Sequence, residues 1–249
     1  MALEEYHLRL LNQGQRKQVL MQWEHHHHDD FQVDFQITPY GETLEGFKVD
    51  KGVWNPLITS ARYHASYLFY HNNLFYGKTA LDIGCGTGLM GIVMAQYGAK
   101  RVVMSDISPL AVENSLENVG NFGLEDIATV QQGDLFAHPK VRGVRADCIT
   151  FMQPYFAGTP PERDTISASM LAPPQLIHKF LEKAKHHLKP QGVIVMPSFS
   201  LAGEVNDPSV LGWEHGYWVD TTFVADVTTG LQRGRIAMHE LRMDNFRGK

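Results

Sequence analysis

The sequence predicts an α/β fold: a mostly parallel, seven-stranded sheet closed by a C-terminal antiparallel hairpin, with a short N-terminal helical and hairpin extension. Three observations carry this. From residue 78 onward, short apolar runs alternate with helical patterns, as parallel strands joined by crossover helices require. Between Ala80 and Asp106 an apolar strand, a glycine-rich turn, a helix and a second apolar strand follow one another. Near the end, Tyr217–Val227 and Arg235–Leu241 read as strands joined only by Thr228–Gly234. That connection is too short for a crossover, so the pair must be antiparallel.

The elements follow in order. Residues 1–28 read as helical, with an imperfect apolar stripe of Leu3, Leu10, Leu11, Val19, Leu20 and Trp23 that Gly14 is expected to break in two. Phe31, Val33, Phe35 and Ile37 alternate as in a strand, Pro39-Tyr40-Gly41 marks a turn, and a second short strand is expected to start at Phe47. Residues 57–76 are expected to form an aromatic-rich helix in which most of Tyr63, Tyr67, Phe69 and Tyr70 are core or packing residues. Strands are expected near 79–83, 101–105, 128–132, 146–152 and 192–198, and helices near 88–97, 109–121 and 174–188. Ser108-Pro109 is a helix start, a capping hydroxyl followed by proline in the first turn. Lys189-Pro190-Gln191-Gly192 reads as a turn before a buried strand.

Length and composition bound the rest. A chain of 249 residues accommodates one large domain, 57–249, behind an extension, 1–56. No window approaches the ~20 apolar residues of a membrane span. The early acids of MALEEYHLRLLNQGQ argue against a signal peptide. Two cysteines, Cys85 in the glycine turn and Cys148 in a strand, suit a reducing cytoplasm. The net charge of −5 argues against a large nucleic-acid footprint, and the basic run Arg233, Arg235, Arg242, Arg247 and Lys249 reads as a solvated edge and tail. His25-His26-His27-His28 beside Asp29-Asp30 has metal-binding chemistry, yet consecutive helical side chains diverge, so no metal site is expected.

The glycine turn points to a ligand. Its glycines let backbone approach a bound group closely, and the following helix aims its partially positive end there. Asp106, at the tip of the next strand, can accept hydrogen bonds from both ribose hydroxyls. An adenosine-bearing cofactor is therefore expected. Gly86-Thr87-Gly88-Leu89-Met90-Gly91 spells G-x-G-x-x-G with Asp106 at the spacing of a dinucleotide site. However, Asp82 precedes the glycines, and its carboxylate would repel a pyrophosphate while tolerating a sulfonium and an ammonium.

The pattern Asp82-x-Gly84-x-Gly86-x-Gly88 resembles the first motif of the S-adenosylmethionine-dependent, Rossmann-like methyltransferases. Three further segments resemble the release-factor glutamine methyltransferase branch: Phe47–Pro56 (F-K-V-x-x-G-V-x-x-P), Gly133-Asp134-Leu135-Phe136, and Met152-Gln153-Pro154-Tyr155 in the place of an Asn-Pro-Pro-Tyr motif. The likeness covers roughly residues 40–245. It implies that Asp82, Gly84, Cys85, Gly86 and Gly88 hold the cofactor with Asp106 and Ile107, that Asp134 and Leu135 flank its adenine, and that Met152 borders it. It also implies that Pro154, Tyr155 and Gln153 carry catalysis, with S-adenosylhomocysteine as product. A carbonyl before Pro154 would accept an N–H of the nucleophile, and Tyr155 would pack on a planar amide or base.

The departures bear on substrate. Met152 stands where the family reads an amide or exocyclic amine with asparagine, and Gln153 replaces a proline, placing a carboxamide one position along. On a regular strand that shift reverses its face, so only loop geometry could restore it. The arginine and glutamate that follow the proline in the family are absent after Pro56, and the helical N-terminal part is short. The function implied is N-methylation of a protein side chain or small planar nitrogen compound. RNA base-amine methylation and a non-catalytic cofactor-binding scaffold are the alternatives. No general base is assigned, since His64, His71 and Asp164 have the chemistry but nothing else to support them. Gly158–Arg163 reads as a mobile loop that could cover substrate.

Overall fold

A computed structural model describes residues 3–58, 60–162, 164–229 and 232–243. The chain opens with a 3-10 turn, Glu5–Leu8, and helix α1, Gln13–His25. Gly14 does not break this helix but lies in its first turn. The break falls before Asn12, whose side chain accepts from the Gln15 amide while Gln15 returns a bond to the Asn12 amide, a reciprocal cap. A hairpin follows, β1 (Phe31–Gln36) and β2 (Thr43–Val49). Phe47 lies near the end of β2 rather than at its start. Helix α2, Ala61–Tyr70, buries Ala61, His64, Ala65 and Leu68 at helical spacing.

The alternating part contains β3 (Thr79–Ile83), α3 (Leu89–Gln96), β4 (Arg101–Asp106), α4 (Pro109–Asn121), β5 (Ala128–Gln132), α5 (Pro139–Arg142) and β6 (Ala146–Phe151). Then come β7 (Phe156–Ala157), α6 (Thr165–Met170), β8 (Leu171–Ala172), α7 (Gln175–His187) and β9 (Leu188–Phe199). Helix α8 (Pro208–Glu214) precedes β10 (Tyr217–Thr229) and β11 (Gln232–Met243). The central sheet has the order β10-β11-β9-β6-β3-β4-β5. Strands β9, β6, β3, β4 and β5 run parallel, and β11 pairs antiparallel with both β9 and β10. The seven strands and the C-terminal hairpin are those expected. Gly230 of the hairpin connection, and Arg247 and Lys249 of the basic tail, lie outside the described residues.

Lys189–Gly192 is part of β9 rather than a preceding turn, and a register shift opposite it between Ala146 and Cys148 absorbs the irregularity. A side chain at Gly192 would meet the Ala146 carbonyl at 3.0 Å. The sheet separates two cores through strand alternation. Ala80, Val102, Cys148 and Val195 face one core; Leu81, Val103, Ile149 and Ile194 face the other. Helices α2 and α3 cover the first, and α7 and α8 the second.

Two features position the site. Chain order reverses at β3, which lies between β4 and β6, so the segments leaving β3 and β6 diverge and open a crevice at the strand ends. The N-terminal hairpin is tied beside this crevice by buried asparagines of α4. The Asn118 carboxamide pairs with both backbone groups of Lys48, donating to its carbonyl (2.8 Å) and accepting from its amide (2.9 Å). The same Asn118 nitrogen donates to the Thr87 carbonyl at 2.9 Å, linking hairpin, helix and glycine turn.

Candidate cofactor and acceptor site

The turn after β3 needs its glycines. Gly84, Gly86 and Gly88 have φ of 67°, 55° and 85°, a region that costs a residue with a Cβ roughly 1–2 kcal/mol. Gly84 and Cys85 donate to the Ser105 carbonyl at 2.7 and 3.1 Å, fixing the turn to β4. Ser115 donates to the Gly86 carbonyl at 2.7 Å. No heavy atom beyond its chain neighbours lies within 4 Å of where a Gly86 Cβ would project, so that backbone is open to a ligand.

Two carboxylates flank the turn. Asp106 accepts from the Gly86 amide through Oδ2 and from the Ser108 amide through Oδ1, both at 2.9 Å. Burial raises its pKa above the usual carboxylate value, with the bonds from Ser108 and Gly86 opposing. A carboxylate offers about four lone-pair sites, so two stay available for a vicinal diol. Asp82 is buried beneath the turn and accepts from the Gly91 amide at 2.9 Å. Burial pushes its pKa up to about 7, the Gly91 bond counteracts this, and Asp106 adds repulsion. A desolvated carboxylate of this kind gains from a cationic neighbour. The Cys85 thiol is buried 3.4 Å from the Ser115 hydroxyl, with its pKa pushed well up by burial, which suits packing rather than nucleophilic attack.

Asp82, Gly84, Cys85, Gly86 and Asp106 line one cavity of about 770 Å³, within the size range of small-molecule and cofactor sites. Ile107 stands exposed at its edge. Leu135 has φ 55°, and its carbonyl accepts from the Ser105 hydroxyl at 2.9 Å. Asp134 is ion-paired with Lys179 of α7. Open turn backbone, a carboxylate with acceptor capacity and a buried carboxylate lacking charge compensation fit an adenosine carrying a sulfonium.

The other end of the cavity is built after β6. Met152 is half-buried in its wall. Gln153 lies beyond the last β6 residue, so strand alternation does not govern it. Its Nε2 donates to the Pro197 carbonyl at 2.6 Å, and its buried Oε1 has no partner. Pro154 is buried beside it. The Tyr155 hydroxyl shares a hydrogen bond with the Ser60 hydroxyl, and its ring lies 5.9 Å from that of Phe199. Burial raises the Tyr155 pKa far above its usual value. Pro160, Pro161 and Glu162 of the following loop line the cavity, while Arg163 lies outside the described residues.

The cavity thus gathers the residues nominated from sequence for cofactor or acceptor with one exception: Gly88 packs against Met104 and Ser115 and does not line it. It also takes residues that sequence did not nominate: Gln22 from α1, Trp54 from the segment after the hairpin, and Ser60 before α2. The Phe47–Pro56 motif was a signal for Trp54; nothing local marked Gln22. His64 is buried away from the cavity lining, with Nε2 2.8 Å from the Thr150 hydroxyl. The His71 ring stacks on Tyr67. Asp164 lines the cavity but caps α6, accepting from the Ser167 amide. The four histidines disperse: His25, His27 and His28 bond carbonyls of Met21, Trp23 and Asp29, and His26 turns inward onto Trp54. Among the described residues no group of three or more His, Cys, Asp or Glu side chains is arranged to hold a metal.

The fold is of the doubly wound class, with its crevice where the strand order reverses. The family model of the methyltransferase small domain matches residues 65–200, more than half of the chain, and the chain belongs to that family. It therefore carries an S-adenosylmethionine-dependent methyltransferase domain. Among similar proteins, a ribosomal protein arginine N-methyltransferase of Schizosaccharomyces pombe is 33% identical over 99 residues, 39% of this chain and 17% of that protein. A ribosomal protein L11 methyltransferase of Anoxybacillus flavithermus is 32% identical over 119 residues, 48% of this chain and 31% of that protein. The chain thus spans less than a third of the length of these curated relatives. The solved ribosomal protein L11 methylase of Lactobacillus delbrueckii superposes with a TM-score of 0.54 at 17% identity, covering 84% of this chain and 98% of that one, a likeness of fold. No helix among the described residues is long and apolar enough to cross a membrane.

Proposed function

We propose that the chain N-methylates a nitrogen-bearing protein side chain, bound at Gln153-Pro154-Tyr155 opposite the glycine turn. One observation supports this above the others. Gln153 lines the cavity, its N–H₂ donates to the Pro197 carbonyl, and its buried Oε1 is an acceptor left without a partner. An acceptor-only group holds N–H bonds of a nucleophile and leaves the nitrogen lone pair free to attack. An oxygen nucleophile with one hydrogen would make poorer use of it.

When bound, S-adenosylmethionine supplies a methyl group activated by a positively charged sulfur. The chain's own residues bind and orient. Asp106 would receive the ribose hydroxyls, and Asp82 would offset the positive charge. Asp134, Leu135 and Ile107 would border the base, and Met152 would stand between cofactor and acceptor. Gln153 and the carbonyl before Pro154 accept the N–H bonds, while the Tyr155 ring packs on the planar group. Phe151 and Phe156 keep water from the line of attack. His64 does not serve as base, because burial pushes its pKa down to about 3 and its Nε2 is engaged with Thr150. Holding nucleophile and methyl carbon in line is the main contribution asked of the protein.

The boundary between extension (1–56) and catalytic domain (57–249) belongs to this proposal, with the extension supplying part of the acceptor wall. So does a reducing, cytoplasmic setting, which the free thiols of Cys85 and Cys148 suit. The net charge of −5 favours protein over RNA as acceptor. The test is Gln153→Leu. We expect turnover to fall about tenfold or more, one hydrogen bond's worth, with S-adenosylhomocysteine affinity within about twofold. Unchanged turnover would remove Gln153 from the acceptor site.

A further inference from the structure

Four buried nitrogens of residues 3–56 lack a hydrogen-bond partner, Gln18 Nε2, Gln22 Nε2, His26 Nε2 and Trp54 Nε1, and the last three stand together. Gln22 and Trp54 line the cavity, with the two nitrogens themselves out of solvent contact. His26 stacks on the Trp54 indole, with centroids 3.4 Å apart and planes 25° apart. Gln22 and His26, four residues apart, share the inner face of α1 and its C-terminal turn. The Asn55 amide donates to His26 Nδ1 at 3.1 Å, so Nδ1 is the bare nitrogen and Nε2 carries the hydrogen. An indole N–H can only donate. Gln22 is 3% exposed and His26 fully buried, so solvent does not satisfy them. Donors left unpaired in this way oppose folding, and a ligand oxygen would remove that cost.

We propose that this wall is the acceptor-recognition subsite and that it receives an uncharged carbonyl oxygen of a peptide-like methyl acceptor, with Trp54 Nε1–H donating and the Gln22 carboxamide completing the contact. The inference rests on the reading of the chain as a protein N-methyltransferase and specifies what that acceptor presents. The wall is electrically neutral, which selects an amide over a carboxylate. Burial, followed by the neighbouring His28, His25 and His27, lowers the His26 pKa to about 3, so its ring stays uncharged. Lys51 is paired with Asp29 at the surface. The Asp164 carboxylate, which lines the same cavity, accepts from Trp23 Nε1 at 3.3 Å and would repel an anion. The competing oxygen source is the carboxylate of the cofactor's own methionine.

Indole NMR separates the two. The protein carries four tryptophans, and Trp54→Phe assigns the Trp54 indole signal in a nitrogen-15 spectrum. The full chain is saturated with S-adenosylhomocysteine, with binding checked by calorimetry, then titrated with N-acetyl-glutamine N-methylamide or with acetate. We expect the amide to move the Trp54 indole proton downfield, acetate to leave it in place, and Trp54→Phe to weaken amide binding about tenfold without changing S-adenosylhomocysteine affinity. A shift complete on S-adenosylhomocysteine alone, with loss of its affinity in Trp54→Phe, would assign the wall to the cofactor and overturn the proposal. A silent indole with S-adenosylhomocysteine bound would also overturn it. Absence of calorimetric binding would instead overturn the parent reading, and this one with it.

Discussion

Replacing Asp106 tests the cofactor half of the site at a known geometry. Its two oxygens each hold one backbone amide at 2.9 Å, from Gly86 and Ser108, and keep one further acceptor position each. Asp106→Ala removes both positions for the ribose. Hydrogen bonds to charged groups are worth about 1.5–3 kcal/mol each, so the loss is ~3–6 kcal/mol, at least about a hundredfold in affinity. Asp106→Asn keeps the shape but must turn its N–H₂ toward one of the two amides, so it should lose a ribose contact and loosen the turn as well. The assay is calorimetric titration with S-adenosylhomocysteine, with thermal unfolding of each variant alongside. A change under threefold in Asp106→Ala, with the melting temperature intact, would refute the assignment of the ribose contact.

Three further outcomes are expected. Asp82 has its pKa raised to about 7 in the folded protein, against roughly 3.9 in the unfolded chain, so the folded state holds the extra proton between these values. Stability of the cofactor-free protein should therefore fall as pH rises from about 4 to 7, by up to ~4 kcal/mol, and Asp82→Asn should flatten that slope in urea titrations; a slope unchanged by the substitution would be contrary. Gly88→Ala places a Cβ at φ 85° and 3.0 Å from Met104 Cε and 3.2 Å from Ser115 Oγ, and should lower stability by about 1–2 kcal/mol or more, read as a reduced melting temperature. Tyr155→Ala should cut turnover and spare S-adenosylhomocysteine affinity; abolished cofactor binding would mean that the tyrosine belongs to the cofactor site.

The cofactor half of the site was legible because its requirements are local. Positive φ at Gly84, Gly86 and Gly88, a carboxylate on β3 and another on the tip of β4 all arise within one strand-turn-helix-strand stretch. Ser108-Pro109 marked α4, and the Ser108 hydroxyl does accept from the Ala111 amide. The same signal stood at Asp207-Pro208, which starts α8, yet that helix escaped notice because it is only seven residues long. The short elements β7, α6 and β8 were likewise too brief to show periodicity.

The wall proposed for the acceptor was not legible, for a different reason. Helix α1 buries Gln18, Val19 and Gln22, so its inner face is largely polar and an apolar stripe does not trace it. What that face contacts is set by Trp54 and Asn55, some thirty residues on, held in place by the hairpin that Asn114 and Asn118 fasten to α4. No local rule relates these segments. Gln153 shows the limit of periodicity as well: whether its carboxamide faces the cavity depends on where β6 ends, at Phe151, and on the Pro197 carbonyl of a neighbouring strand.

The central claim is methyl transfer to a protein nitrogen, and one measurement reaches it directly. The full chain is incubated with S-adenosylmethionine bearing a trideuterated methyl group and a ribosome preparation, with digestion by nuclease or protease in parallel. The products are then mapped by fragmentation mass spectrometry. The account predicts a label on a side-chain nitrogen that survives nuclease, is lost with protease and is absent with Asp106→Ala. A label confined to RNA bases, to oxygen or carbon, or found on no macromolecule or peptide would contradict it.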